Sequence, residues 1–138
     1  MSQNIKPSVW GPPGWRFMHY VSLGYPEKPS DSEKQQYKVF YESLQHVLPC
    51  HTCAQNYKEN LKEMPIDDAL GSRDSLVKWV IDIHNKVNVE TGKKTLEYQE
   101  ALDLYLKQQS PLLEYGFKVL VLLIVLLILY YIMKHSSF

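Results

Sequence analysis

The chain has 138 residues, enough for one compact domain. Its 15 basic and 15 acidic residues balance to zero net charge and are spread along the sequence without a basic block or stripe, which argues against nucleic-acid binding. Two cysteines are too few for a disulfide scaffold, and the N-terminal residues lack the apolar run of a secretory signal.

Taken in chain order, the residues predict helices and no strands, since no stretch sustains a period-2 alternation of β-branched residues. The first helix is expected to start within Trp10-Gly11-Pro12-Pro13-Gly14-Trp15, where proline suits a first turn, and to end near Gly24. Trp15, His19 and Leu23 then share one face. A second helix should follow Ser30-Asp31-Ser32-Glu33, which has the spacing of a capping box. Its apolar stripe is Tyr37, Phe40, Tyr41, Leu44 and Val47, and Pro49 interrupts it. The third helix is placed from about Cys50, through Cys53, Tyr57 and Leu61, to just before Pro65. The fourth runs from about Ser72 to Thr91 and stops at Gly92. Leu76, Val80, His84 and Val87 lie on one side of it, and Trp79 and Ile83 form a neighbouring stripe. A short fifth helix is expected over Leu96 to Leu106, carrying Leu102 and Tyr105. Ser110-Pro111 marks a break, dividing a domain over 1–110 from a C-terminal segment over 111–138.

That segment differs in composition. From Val119 to Met133 every residue is apolar or Tyr, and Lys118 is the only charge between Tyr115 and Met133. Residues 115–133 approach the ~30 Å thickness of a bilayer core as a helix. Lys118 can snorkel, and Tyr115, Tyr130 and Tyr131 suit the headgroup zone. A domain this small offers little to bury such a helix on every side, so a transmembrane anchor is the expectation over a core helix. With only His135 to Phe138 beyond it, the anchor implies a single-pass, tail-anchored protein whose domain faces the cytosol.

The cysteines form Cys50-His51-Thr52-Cys53. In a reducing compartment a lone CxxC reads as redox-active or metal-binding rather than as a staple. At a helix start, Cys50 would meet unpaired backbone N–H groups and the positive end of the dipole, which favour thiolate. A zinc site needs about four ligands. His19, His46, His51 and His84 are candidates to complete one, but no second CxxC or HxxxH supports it. A thioredoxin-like site needs a preceding strand, whereas Phe40 to Val47 has a helical period. His84 and Asn88, in His84-Asn85-Lys86-Val87-Asn88, share a face that can hydrogen-bond a purine or flavin edge, or simply face water at a helix end. Trp10, Trp15, Tyr25, Tyr57, Trp79 and Tyr105 are core residues or stacking platforms, and Lys93 and Lys94 suit a phosphate or a solvated turn.

Together, Trp15-Arg16-Phe17-Met18-His19, Tyr25-Pro26, Leu48-Pro49-Cys50-His51-Thr52-Cys53, Trp79, His84-Asn85-Lys86-Val87-Asn88 and Gly92-Lys93 occur in an order that resembles the Erv/ALR family of FAD-linked sulfhydryl oxidases. The resemblance covers about Trp10 to Tyr105, and the terminal membrane helix is similar to that of family members from large cytoplasmic DNA viruses. It implies an all-α fold, a four-helix bundle plus a short fifth helix around FAD, followed by the transmembrane helix. It implies a thiol oxidase that passes electrons from substrate dithiols through Cys50 and Cys53 to FAD and then to O2, giving H2O2. Cys50 would be the interchange thiol and Cys53 the flavin-proximal one. Gly11, Trp15, His19, Tyr25, Cys53, Tyr57, His84, Asn85, Val87, Asn88 and Lys93 would contact FAD. Tyr105 stands where the family often has Trp against the adenine. A homodimer is implied, in a host or virion membrane. No cysteine remains for the family's structural disulfide or for its shuttle pair, so a separate dithiol protein or thioredoxin-like shuttle should deliver electrons. The competing expectation is a non-enzymatic, tail-anchored scaffold whose CxxC binds metal.

Overall fold

A computed structural model of the chain describes residues 5–106 and 111–135, the latter without side chains at 111–114 and 135. Every regular element among the described residues is helical: α1 Pro7–Leu23, α2 Asp31–Val47, α3 His51–Glu63, a 3-10 turn Ile66–Ala69, α4 Arg73–Glu90, α5 Tyr98–Leu106 and α6 Pro111–His135. The chain divides into two units, Met1–Leu102 and Asp103–Phe138. The division falls inside α5, and Ser110 lies outside the described residues.

In the first unit, α1 packs on α4 and α2 packs on α3, with the 3-10 turn wedged against α4 and α2. Helix α1 begins earlier than the sequence suggests, with Pro7 in its first turn and Pro12 and Pro13 inside it. These prolines lack the N–H groups that would bond the carbonyls of Ser8 and Val9. Both residues are exposed, so water can take the orphaned acceptors. Helix α2 starts as expected: Glu33 N–H donates to Ser30 Oγ at 3.3 Å, and Ser30 N–H donates back to the Glu33 carboxylate at 2.7 Å. Tyr37, Phe40, Tyr41 and Leu44 join the core, but Val47 is exposed in the last turn, beyond the core that the rest of its stripe joins. Ser72 caps α4 by accepting from Ser75 N–H at 3.2 Å. Helix α5 starts at Tyr98 rather than Leu96, because the Leu96 backbone is engaged elsewhere.

The core joins Met18, Tyr25, Tyr41, Tyr57, Leu76, Trp79, Val80 and Ile83. Four buried aromatic side chains of this core donate to backbone acceptors, as burial demands. Tyr25 donates to the Leu70 carbonyl (3.0 Å), Tyr41 to Met18 (2.8 Å), Tyr57 to Tyr41 (3.2 Å) and Trp79 Nε1 to Met64 (3.0 Å). Tyr41 meets Trp79 edge-on at 5.4 Å, a geometry worth about 0.5–1.5 kcal/mol beyond its area.

In the second unit, α6 contains Tyr115–Lys134, 20 residues long and apolar enough to cross a membrane, with every side chain open. Twenty helical residues rise about 30 Å, a bilayer core's thickness. Lys118 Nζ lies 5.8 Å from the Tyr115 ring centre, folded back along the helix surface.

Candidate functional site

Cys50 and Cys53 are joined as a disulfide, with Cα atoms 5.2 Å apart. Cys50 is the N-cap of α3, one residue ahead of the helix proper, and its sulfur accepts from Cys53 N–H at 3.2 Å. An extended N-cap followed by one helical turn brings i and i+3 within bonding reach, so the CxxC spacing and the helix start together make the bridge. Cys50 is 7% exposed, and Cys53 is more open.

A second cluster forms where α1 meets α4. Gly11, Trp15 and His19 follow one another at i, i+4 along α1, and His84 stands opposite on α4. His19 Nε2 and His84 Nδ1 are 3.0 Å apart. The Trp15 indole stacks on the His84 ring at 4.1 Å and 10°. Burial, and then the facing His84, push the His19 pKa down to about 3. Burial, and then the Lys93 ammonium, push His84 down to about 4. Both imidazoles are therefore neutral at physiological pH, and one nitrogen of the contact donates while the other accepts. Lys93 reaches this cluster because Gly92 turns the chain with φ +68°, and Lys93 N–H then donates to the Asn88 carbonyl at 2.7 Å. Asn88 is itself buried beneath that turn.

The structure thus brings Trp15, His19 and His84 together, with the Lys93 charge acting on His84, and gives other expected site residues partners of their own. Asn85 spends its amide on Leu96, with Nδ2 donating to the Leu96 carbonyl at 2.8 Å and Oδ1 accepting from Leu96 N–H at 2.9 Å. Tyr25 is fully buried against Tyr37, its ring centre 4.5 Å away, and Tyr57 is buried between α3 and α2. Val87 is half-buried beside the cluster on α4. Tyr105 belongs to the second unit. His46 and His51 are exposed, and among the described residues no group of three or more His, Cys, Asp or Glu gathers as a metal site would require. The bonds between His19 and His84 and between Asn85 and Leu96 have no signature in the sequence, because each crosses between segments that periodicity treats separately.

A disulfide at the head of a bundle helix, with no strand before it, defines a helical thiol–disulfide redox protein. The sequence profile of the Erv1 / Alr family matches residues 13–109, and the chain belongs to that family. It is 47% identical over 108 residues to the protein of Acanthamoeba polyphaga mimivirus named "Probable FAD-linked sulfhydryl oxidase R368", covering 78% of this chain and 76% of that one. It is 35% identical over 79 residues to the FAD-linked sulfhydryl oxidase ERV1 of Arabidopsis thaliana, of which it spans 40%. The crystal structure of the yeast Erv1 core superposes with a TM-score of 0.68 at 27% identity, over 73% of this chain and 84% of that one. The FAD-binding domain of Erv1 from Saccharomyces cerevisiae gives the same TM-score over 94% of its length.

Proposed function

We propose that this protein is an FAD-linked sulfhydryl oxidase, anchored by α6, that makes disulfide bonds in a dithiol protein partner. The observation that carries this reading is the Cys50–Cys53 disulfide at the head of α3, in the same bundle as the neutral Trp15/His19/His84 cluster.

The residues present fit FAD. The Trp15 and His84 rings lie flat and suit a planar ring system. Neutral imidazoles can donate or accept at a heterocycle edge. Lys93 supplies a positive charge for a phosphate beside them. A Cβ at Gly11 would meet nothing within 4 Å, leaving room for close approach along the face that carries Trp15 and His19. On the face of α3 that bears Cys53 and Tyr57, the buried Asn60 Nδ2 is a donor with no partner among the described residues, and a ligand atom would satisfy it. Gly11, Trp15, His19, His84 and Lys93 are assigned to the cofactor on this basis. Tyr25, Cys53, Tyr57, Asn85, Val87, Asn88 and Tyr105 are carried by family resemblance alone.

In the reaction, a substrate thiolate attacks Cys50 Sγ and Cys53 leaves as thiolate. The N-terminus of α3 stabilises that negative charge. A second substrate thiol then resolves the mixed disulfide and frees Cys50. FAD, when bound, would take the two electrons released as the Cys50 and Cys53 thiols re-form their disulfide, and would pass them to O2 as peroxide. The protein holds the ring, keeps both imidazoles neutral and fixes the geometry of the thiols.

Exposed Phe17, Val39 and Val47 on α1 and α2 offer apolar surface for a homodimer. The test is oxygen uptake by the purified full chain with dithiothreitol. Stoichiometric peroxide supports the reading, and the absence of uptake contradicts it.

A further inference from the structure

A substrate thiolate has to reach Cys50, yet Cys50 is the more buried of the two cysteines. The chain ahead of α1 is bonded to the peptide group that leads into Cys50. Ile5 N–H donates to the Pro49 carbonyl at 2.8 Å, and that carbonyl belongs to the peptide group whose nitrogen is that of Cys50. The Ile5 carbonyl in turn accepts from Trp10 Nε1 at 3.2 Å, so both polar groups of the Ile5 backbone are tied. Lys6, at φ −56° and ψ 129°, continues the stretch in an extended conformation before Pro7 opens the helix. Pro49 has no N–H, so its carbonyl is the one backbone group of that residue able to pair with a passing strand.

We propose that the peptide edge at Pro49 is the docking point for an extended dithiol segment of the substrate, and that Ile5–Lys6 occupies it in the resting chain as a competing strand. The proposal rests on the oxidase reading of Cys50. Once the strap yields, the substrate backbone N–H takes the Pro49 carbonyl and its thiolate is carried alongside Cys50. The substrate–Cys50 S–S bond forms as the Cys50–Cys53 bond breaks, and Cys53 leaves with the electron pair. The second substrate thiol loses its proton to water and attacks the substrate sulfur. Cys50 departs as thiolate and the substrate leaves oxidised.

Two substitutions release the strap in the full chain in detergent. Ile5→Pro removes the N–H donor, and Trp10→Phe removes the indole donor while keeping a ring. One hydrogen bond contributes about 0.5–1.5 kcal/mol net, or roughly two- to tenfold in an equilibrium. In a Cys53→Ser background, where Cys50 is the sole thiol, each substitution should speed alkylation by a bulky maleimide by about that factor and leave the rate with iodoacetamide unchanged. With Cys53 intact, kcat/KM for an extended two-cysteine peptide should rise similarly while that for dithiothreitol stays put. Melting curves check the fold, and if Ile5→Pro lowers the melting temperature, Trp10→Phe carries the test. An unchanged maleimide rate, or a lower kcat/KM for the peptide, overturns the strap. The alkylation arm needs neither flavin nor turnover. Faster alkylation in a chain that oxidises nothing would uphold the strap and overturn the oxidase reading alone.

Discussion

At the scale of single residues, the two cysteines have unequal work, and each can be removed separately. Cys53→Ser should retain FAD and lose turnover, because no thiolate remains to reduce the flavin. Cys50→Ser should also lose turnover but leave Cys53 as a free thiolate, adding a broad long-wavelength absorption that the Cys53→Ser protein lacks. Identical spectra would reverse or remove the assignment. His84 is the hinge of the second cluster, bonded to His19 and stacked on Trp15. His84→Ala removes the ring that bonds His19 and stacks on Trp15 and should weaken FAD retention by roughly one to two powers of ten, since losing a buried hydrogen-bonding group costs about 1–3 kcal/mol. FAD binds only the folded state, so the variant should melt lower and recover on adding FAD. Full flavin content with unchanged melting would take His84 out of the site.

At the scale of elements, α1 and α4 are held together through a neutral imidazole pair, and this makes their packing sensitive to acid. Both pKa values are lowered from about 6.5, to about 3 for His19 and about 4 for His84. The unfolded chain therefore binds more protons than the folded one between pH about 6.5 and 4, and stability falls as pH drops through that window. The melting temperature should decline from pH 7 to pH 4, and the slope should flatten in a His19→Leu variant. A flat profile in the parent would contradict the pairing. Asn85 acts between elements as well: Asn85→Ala removes both bonds to Leu96, should cost about 1–3 kcal/mol, and should raise hydrogen exchange at Leu96. Much of this level was legible in the sequence. The Ser30/Glu33 capping box, the Gly92 stop, the α2 stripe as far as Leu44 and the α4 stripe are local chemistry repeated at helical period, and the structure follows them. What escaped is non-local. The start of α5 was misplaced because Leu96 looks helical until Asn85, eleven residues earlier, claims its backbone. The early start of α1 was missed because prolines in a second turn look like a helix opening, although exposed carbonyls tolerate them there. For the site, the CxxC turn could be read from spacing, whereas the His19–His84 contact and the Ile5–Pro49 bond join residues that no pattern relates.

At the scale of the whole molecule, the chain joins a redox bundle to a membrane-length helix and has no cysteine beyond the CxxC to relay electrons outward. The full chain should stay in the membrane fraction through an alkaline carbonate wash, and release into the supernatant would contradict the anchor. It should oxidise small dithiols readily but folded protein thiols slowly unless a dithiol partner is added. Vigorous oxidation of unrelated reduced proteins would show that no dedicated partner is needed. The central claim is that Cys50 and Cys53 feed a bound flavin. Its most direct test is the visible spectrum of the purified full chain in detergent, recorded anaerobically before and after dithiothreitol, for the parent and for Cys53→Ser. The parent should be yellow, with a flavin band that bleaches with dithiol and persists in Cys53→Ser. A colourless protein, or bleaching that is indifferent to Cys53, would contradict it.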